Sequence, residues 1–292
     1  MSIFKGVATA LITPMKDDRV DFDSLEKLVK FQLNNGADAL VVNGTTGEPT
    51  TLSRAERVSV SKTVIELVNK KVPVILGAGS NNTHTTISYA TENETLGADA
   101  LLTVTPYYNK CTQKGLVEHY KAVSNSVKIP IIMYNVPGRT GVNINPDTAL
   151  EIAQNCKNVI AIKEASGNIS QISEVARLTK GLLDLYSGDD GIVLPILSLG
   201  GIGVISVVSN VIPQLMHDIV ANFLAGDILK SRELQFKVNP FVSAAFCEVN
   251  PIPIKCAASL MNLCKNELRL PLTPCSKEQF VREEMIKLGL IK

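Results

Sequence analysis

The segment NVIAIKEASG, residues 158–167, places a lysine, Lys163, directly after the apolar run Val159–Ile162. Charged side chains are rarely buried without a partner, because an ammonium loses its hydration when it leaves water. A desolvated lysine has a lowered pKa, and its neutral amine attacks carbonyl groups to form an imine. Lys163 is therefore a candidate Schiff-base nucleophile for making or breaking a carbon–carbon bond.

Other polar side chains follow similar apolar runs. Tyr134, in MYNVPGRTG, is a candidate general acid and base, and a threonine hydroxyl would relay its proton. Arg139, in the same motif, has a planar fork suited to a substrate carboxylate. Thr45 and Thr46, in NGTTGEP, are suited to hold a second carboxylate together with nearby backbone amides. A pair of tyrosines, Tyr107 and Tyr108, follows a further run in TPYYN.

Each residue also has a structural interpretation. Lys163 is equally compatible with a structural ion pair with Glu164 or another acid. A lone tyrosine more often packs in a core or an interface with a satisfied hydroxyl. Arg139 is also compatible with an ordinary loop charge. These residue types alone do not specify a reaction.

Eight apolar, β-branched runs recur along the chain at a spacing of about thirty residues, which is the size of one βαβ step. Amphipathic segments separate them. In the segment that begins at Ser53, that residue is the expected N-cap and Glu56 completes a capping box. The eight runs start near residues 7, 39, 72, 100, 129, 159, 183 and 203.

Eight strand–helix units predict an α/β fold, a (β/α)8 TIM barrel, rather than an open nucleotide-binding sheet, because no GxGxxG or GxxxxGK[ST] motif is present. Four helical segments follow the last strand. The predicted organisation is a barrel over residues 1–212 with a C-terminal helical extension over residues 213–292. In such a barrel the carboxyl ends of the strands surround one cavity, so the polar residues above are expected to meet there.

Composition narrows the class of function. The 29 basic and 28 acidic residues nearly cancel, which argues against nucleic-acid binding and against an anionic membrane partner. No stretch is apolar for long enough to predict a membrane helix. The six cysteines are scattered and the three histidines show no ligand spacing, so we expect reduced thiols, a cytoplasmic protein and no metal.

Four motifs, GTTGEPTTL, TPYYNK, YNVPGRTG and IKEASG, occur in this order on the predicted strand ends. Together with SGDD, GVISV and NPIPIK, they resemble the pyruvate-dependent class I aldolases of the dihydrodipicolinate synthase and N-acetylneuraminate lyase family over essentially the whole chain. The arginine of GRTG is similar to that of the synthase branch, which implies pyruvate and L-aspartate semialdehyde as substrates and no cofactor. A related aldolase of a sugar-derived 2-oxo acid and a non-catalytic barrel are the alternatives.

The resemblance also implies roles for individual residues. Lys163 would form the Schiff base, and Tyr134 would move the proton, with Thr45 relaying it to Tyr108 of a neighbouring subunit. That implies a homodimer or a homotetramer built from two dimers. The resemblance places the substrate-binding roles on Thr46 for the pyruvate carboxylate, Arg139 for the semialdehyde carboxylate, and the carbonyls of Gly188 and Ile205.

One part of the resemblance is incomplete. Lysine-inhibited members of the family have a histidine and a glutamate in a cleft at the dimer interface, where this chain has Arg54 and Thr85. Asn81 and Tyr107 match that cleft. A lysine ligand would meet a cation and lose an acidic partner, so we expect feedback inhibition to be weak or absent.

Overall fold

A computed structural model describes residues 2–292. Eight parallel strands close into a barrel in the order β1, β10, β9, β8, β7, β6, β5, β4, with β4 pairing back onto β1. The predicted (β/α)8 TIM barrel is confirmed. The barrel strands are β1 (Gly6–Ala10), β4 (Ala39–Val42), β5 (Val74–Gly77), β6 (Ala100–Val104), β7 (Ile131–Asn135), β8 (Val159–Glu164), β9 (Asp184–Ser187) and β10 (Gly203–Ser206), and β2 (Met15–Lys16) and β3 (Arg19–Val20) form a separate antiparallel pair.

Helices alternate with the strands and continue beyond them. The capping box predicted at Ser53 and Glu56 is present at the start of the second helix. Polar N-caps and Pro residues in the first turns account for most of the other helix starts. The helices are α1 (Phe22–Asn34), α2 (Arg54–Val68), α3 (Thr83–Thr95), α4 (Gln113–Ser126), α5 (Pro137–Thr140), α6 (Pro146–Asn155), α7 (Ile169–Leu178), α8 (Val193–Ser198), α9 (Pro213–Leu224), α10 (Ile228–Ala245), α11 (Ile252–Leu260) and α12 (Glu278–Lys287).

The C-terminal helical extension is present, and it packs directly on the barrel. Helix α9 contacts β1 and β10, and α10 contacts α9, α11 and α12. One apolar core contains side chains from β1, α1, α9, α10 and α12. The division at residue 212 stays a prediction, because the helices beyond it share this core with the barrel.

The barrel interior is a second apolar cluster that positions the site. Side chains alternate along β8, so that Ala161 faces the interior cluster and Ile162 faces the surrounding helices. Phe4 and Tyr186 stack with ring centroids 4.3 Å apart and fill the interior near the amino ends of the strands. Within residues 2–292, no helix is long and apolar enough to cross a membrane.

Candidate active site

Lys163 follows Ala161 on the interior side of β8, near the carboxyl end of the strand. It is 4 % exposed. The strand register pairs it with Tyr134 on β7, and its Nζ lies 4.2 Å from the centroid of the Tyr134 ring. The two residues lie on neighbouring parallel strands at paired positions. Their side chains are therefore in contact, although they are 29 positions apart in the sequence.

Lys163 does not form the ion pair with Glu164 that was the structural alternative. Glu164 is the next residue on the strand and points to the opposite side, toward the helices. Its carboxylate accepts hydrogen bonds from Asn135 Nδ2 at 2.6 Å and from Ser166 Oγ at 2.7 Å. Among the salt bridges formed by the described residues, none involves Lys163.

Burial controls the protonation of the site. It lowers the pKa of Lys163 to about 7; the Arg139 charge acts in the same direction and Asp190 opposes it. Burial raises the pKa of Asp190 to about 6, although Ser206 and the amides of Val207 and Val208 favour its charged form. At neutral pH a large share of the Lys163 amine is therefore unprotonated and nucleophilic.

Tyr134 is also buried, and burial raises the pKa of its phenol, while the Arg139 charge and the Thr45 hydroxyl lower it. Thr45 begins a 3-10 turn, Thr45–Gly47, that follows β4. The turn places the threonine hydroxyl beside the phenol, as a proton relay requires.

Thr46 and Arg139 are tied to one residue of the C-terminal region. Asn250 Nδ2 donates to Thr46 Oγ1 at 2.9 Å, and an Arg139 guanidinium nitrogen donates to the Asn250 carbonyl at 3.1 Å. Arg139 lies in the short helix α5, where its side chain is largely exposed. It is thus available to a second substrate at the mouth of the barrel.

These side chains surround a cavity of about 360 Å³ at the carboxyl ends of the strands. Gly188 contributes by having no side chain, since a Cβ there would lie 2.9 Å from Lys163 Cε. The cavity is large enough for a small keto acid and an aldehyde. The sequence-predicted residues that line it are Lys163, Tyr134, Thr45, Thr46, Arg139 and Gly188.

Two of the expected site residues are not among those that line this cavity. Ile205 is fully buried on β10. Tyr108 is 91 % exposed and has a φ of 65°, an uncommon left-handed conformation for a residue of this size. Within the single chain, Tyr108 lines neither this cavity nor the one beside it.

A second cavity of about 580 Å³ adjoins the first and contains Tyr107, but Arg54 and Asn81 are not among its lining residues. Arg54 pairs with Glu92, with 3.0 Å between the guanidinium and the carboxylate. The cationic residues that line the cavity are Arg139 and Arg57, whose guanidinium lies 3.9 Å from the Tyr89 ring centroid. None of the described residues that line the cavity is acidic.

Three contributors were not singled out in the sequence: Asn250, Asp190 as an electrostatic neighbour of Lys163, and Arg57. Asn250 begins the NPIPIK motif, but its contact with Thr46 spans about two hundred residues, which no local pattern indicates. Among residues 2–292, no group of three or more histidine, cysteine or acidic side chains could hold a metal.

Comparison with known proteins gives a consistent result. A model of the dihydrodipicolinate synthetase family matches residues 3–287. The 4-hydroxy-tetrahydrodipicolinate synthase of Lachnoclostridium phytofermentans is 48% identical to this chain, and the alignment covers 100% of both chains. The 4-hydroxy-tetrahydrodipicolinate synthase of Caldicellulosiruptor bescii is 51% identical, and the alignment covers 100% of this chain and 97% of the relative. A crystal structure of dihydrodipicolinate synthase from Thermotoga maritima superposes with a TM-score of 0.98 at 46% identity, covering 99% of this chain and 100% of that chain. The chain therefore belongs to the dihydrodipicolinate synthetase family.

Proposed function

We propose that this protein condenses pyruvate with L-aspartate 4-semialdehyde through a Schiff base on Lys163, giving 4-hydroxy-tetrahydrodipicolinate early in diaminopimelate and lysine biosynthesis. The family match and the synthase names of full-length relatives support this lyase activity. The observation that carries it is the buried amine of Lys163, which has no salt bridge and lies beside Tyr134.

The first half-reaction builds the nucleophile. The neutral amine of Lys163 adds to the keto carbon of pyruvate, and loss of water gives a protonated imine. The imine withdraws electrons from the neighbouring methyl carbon, which loses a proton and becomes an enamine carbon. Tyr134 is the group placed to move protons in these steps, with Thr45 beside it.

The second half-reaction forms the carbon–carbon bond. The enamine carbon attacks the aldehyde carbon of the semialdehyde, which restores the protonated imine, and the resulting alkoxide takes a proton from the tyrosine relay. The amino group of the added unit then attacks the imine carbon and displaces the Lys163 amine, which closes the ring, releases the product and returns the free lysine. Thr46 holds the pyruvate carboxylate inside the cavity, and Arg139 binds the semialdehyde carboxylate at its mouth. The two carboxylates thus orient the two reacting carbons.

Borohydride reduction in the presence of pyruvate tests this chemistry. The reduced adduct is expected on Lys163, identified by peptide mass mapping, and it is expected to be absent from Lys163→Ala. The matched control is Lys157→Ala, an exposed lysine on the same segment, which should trap like the parent protein. Lys255 is a second buried lysine, and its pairing with Glu48 makes it an internal control that should stay unmodified.

Trapping and turnover assays together separate the alternatives. No adduct, or an adduct on another lysine, would leave a non-catalytic barrel or a different mechanism. Trapping with pyruvate but turnover only with a sugar-derived aldehyde would assign the chain to a sister aldolase. Turnover with L-aspartate semialdehyde, lost in Arg139→Met while trapping remains, supports the synthase.

We also infer that Tyr108 acts in the site of a second copy of the chain. Its exposure and its place outside the cavity support a role across an interface, in at least a dimer. Replacing Tyr108 by Phe should reduce turnover while leaving imine trapping largely intact, because the relay acts after imine formation begins. Normal turnover of Tyr108→Phe would show that the Tyr108 hydroxyl takes no part in the proton relay.

Inhibition by L-lysine is expected to be weak or absent. The second cavity offers two arginines and no acidic residue among its described lining, so a ligand's ammonium would lose its hydration without gaining a counter-charge. Turnover measured against increasing L-lysine at saturating substrates checks this. A sub-millimolar midpoint would contradict the expectation.

A further inference from the structure

Asn250 connects the mouth of the barrel to the C-terminal helices. It is 6 % exposed, immediately precedes the segment that forms α11, and lines the cavity that contains Lys163. Its side chain contacts Thr46 and its carbonyl contacts Arg139. It therefore touches both residues to which the proposed function assigns a substrate carboxylate.

The direction of the Thr46 contact has a chemical consequence. An amide nitrogen only donates, so Thr46 Oγ1 is the acceptor in its bond with Asn250 Nδ2. A hydroxyl has a single hydrogen, and in this arrangement that hydrogen is left for another acceptor. Inside the cavity, the group that needs such a donor is the carboxylate of the keto acid.

We propose that Asn250 is a positioning residue for pyruvate. Asn250 holds the Thr46 hydroxyl so that this hydroxyl donates to the keto-acid carboxylate. Its carbonyl separately restrains Arg139. This inference rests on the proposed function, since it assumes that a keto acid binds at Lys163.

A second contact holds the same two segments together. Glu48, two residues after Thr46, accepts from Lys255, five residues after Asn250, at 2.5 Å, and neither side chain is more than 1% exposed. The contact between Thr46 and Asn250 is thus flanked by a fully buried ion pair. A hydroxyl that is already restrained by a hydrogen bond loses little rotational freedom when the substrate binds.

Asn250→Ala provides the first test, because it removes the side chain and keeps the carbonyl that binds Arg139. We expect the KM for pyruvate to rise about 3- to 10-fold, the range for losing one hydrogen bond between neutral groups. The KM for the semialdehyde should change by less than about twofold. The matched control is Asn262→Ala, an exposed asparagine of the same region, which should leave both constants unchanged.

A double-mutant cycle shows whether Asn250 acts through Thr46. Thr46→Val removes the donor itself, so adding Asn250→Ala should produce little further loss in kcat/KM for pyruvate. Effects that multiply would mean that the two residues act independently, and they would overturn the proposal.

Asn250→Asp tests the direction of the hydrogen bond and keeps the shape of the side chain. A carboxylate only accepts, so it would draw the Thr46 hydrogen away from the substrate and add a like charge beside its carboxylate. The KM for pyruvate should then exceed that of Asn250→Ala. A value near that of the parent would mean that Thr46 donates to residue 250, contrary to the proposal.

The wild-type protein distinguishes the failure of this inference from that of the proposed function. Absence of a trapped pyruvate adduct on Lys163 in the wild type would refute the function itself. A normal adduct in the wild type, with an unchanged pyruvate KM in a folded Asn250→Ala protein, would refute only the role of Asn250. Circular dichroism and the thermal midpoint report whether each variant is folded.

Discussion

At the scale of single residues, the reactivity of the site follows from where one amine is placed. The neutral form of the Lys163 amine is favoured because burial disfavours its charged form and because the Arg139 charge acts in the same direction. Gly188 supplies the space beside its side chain. No unusual residue is needed, since an ordinary lysine acquires this property from its surroundings.

The pH dependence of imine trapping should follow the pKa of Lys163. Because that pKa is lowered to about 7, the neutral amine predominates above it and the protonated amine below it. The trapping rate with pyruvate alone is expected to level off above pH 7 and to fall about tenfold per pH unit well below it. The profile is measured by reducing the reaction with borohydride at successive times at each pH and quantifying the adduct on Lys163.

Two charge-removing variants should move that profile in opposite directions. Arg139→Met removes a positive charge that lowers the pKa of Lys163, so the falling limb should shift to higher pH. Asp190→Asn removes a negative charge that raises it, so the limb should shift to lower pH. If both variants shifted the falling limb in the same direction, the limb would report the titration of a group other than Lys163.

At the scale of elements, the site depends on the register of β7 and β8 and on the turn after β4. The register pairs Tyr134 with Lys163, and alternation along β8 separates Lys163 from Glu164. The 3-10 turn Thr45–Gly47 is fixed to α11 by the buried pair of Glu48 and Lys255. The C-terminal helices thereby help to shape a site that lies on the barrel.

Breaking that pair should be costly. Lys255→Met leaves the Glu48 carboxylate buried and unpaired, which typically costs about 3–5 kcal/mol in the free energy of unfolding. Adding Glu48→Gln removes the charge and should recover most of the loss. Chemical denaturation of the single and double variants measures both values, and a double variant no more stable than Lys255→Met would show that the charge is not the cause. Arg177→Met, in an exposed pair with Glu174, is the control and should leave the midpoint unchanged.

At the scale of the whole molecule, the single chain presents one proposed relay residue to the outside. Tyr108 is held at a positive φ by a loop whose backbone bonds to Thr140, at the end of α5. A dimer would let each copy supply this tyrosine to the other. Turnover would then depend on assembly of the chain into at least a dimer.

Mixing an inactive variant with a variant of reduced turnover tests that connection. Lys163→Ala lacks the nucleophile and Tyr108→Phe lacks the relay hydroxyl. In a mixed dimer one site would combine an intact Lys163 with an intact Tyr108 from the other copy, so turnover should rise above that of Tyr108→Phe alone when the two proteins are unfolded and refolded together. Mixing without subunit exchange is the control. A demonstrated mixed dimer that turns over no faster than Tyr108→Phe would place Tyr108 outside its partner's site.

The order and types of residues were enough to predict the eight-stranded barrel, its C-terminal helices and the cavity residues Lys163, Tyr134, Thr45, Thr46 and Arg139, whereas Gly188 was implied only by the family resemblance. Apolar periodicity and motifs at strand ends are local signals, and parallel strands bring their carboxyl ends together. The folded chain alone revealed that Arg139 and Asp190 act on the pKa of Lys163 in opposite directions, that Glu164 is not its partner, and that Asn250 and Lys255 contact the turn after β4. The contacts of Asn250 and Lys255 join residues about two hundred positions apart in the chain, and they form only when the C-terminal helices pack over the barrel.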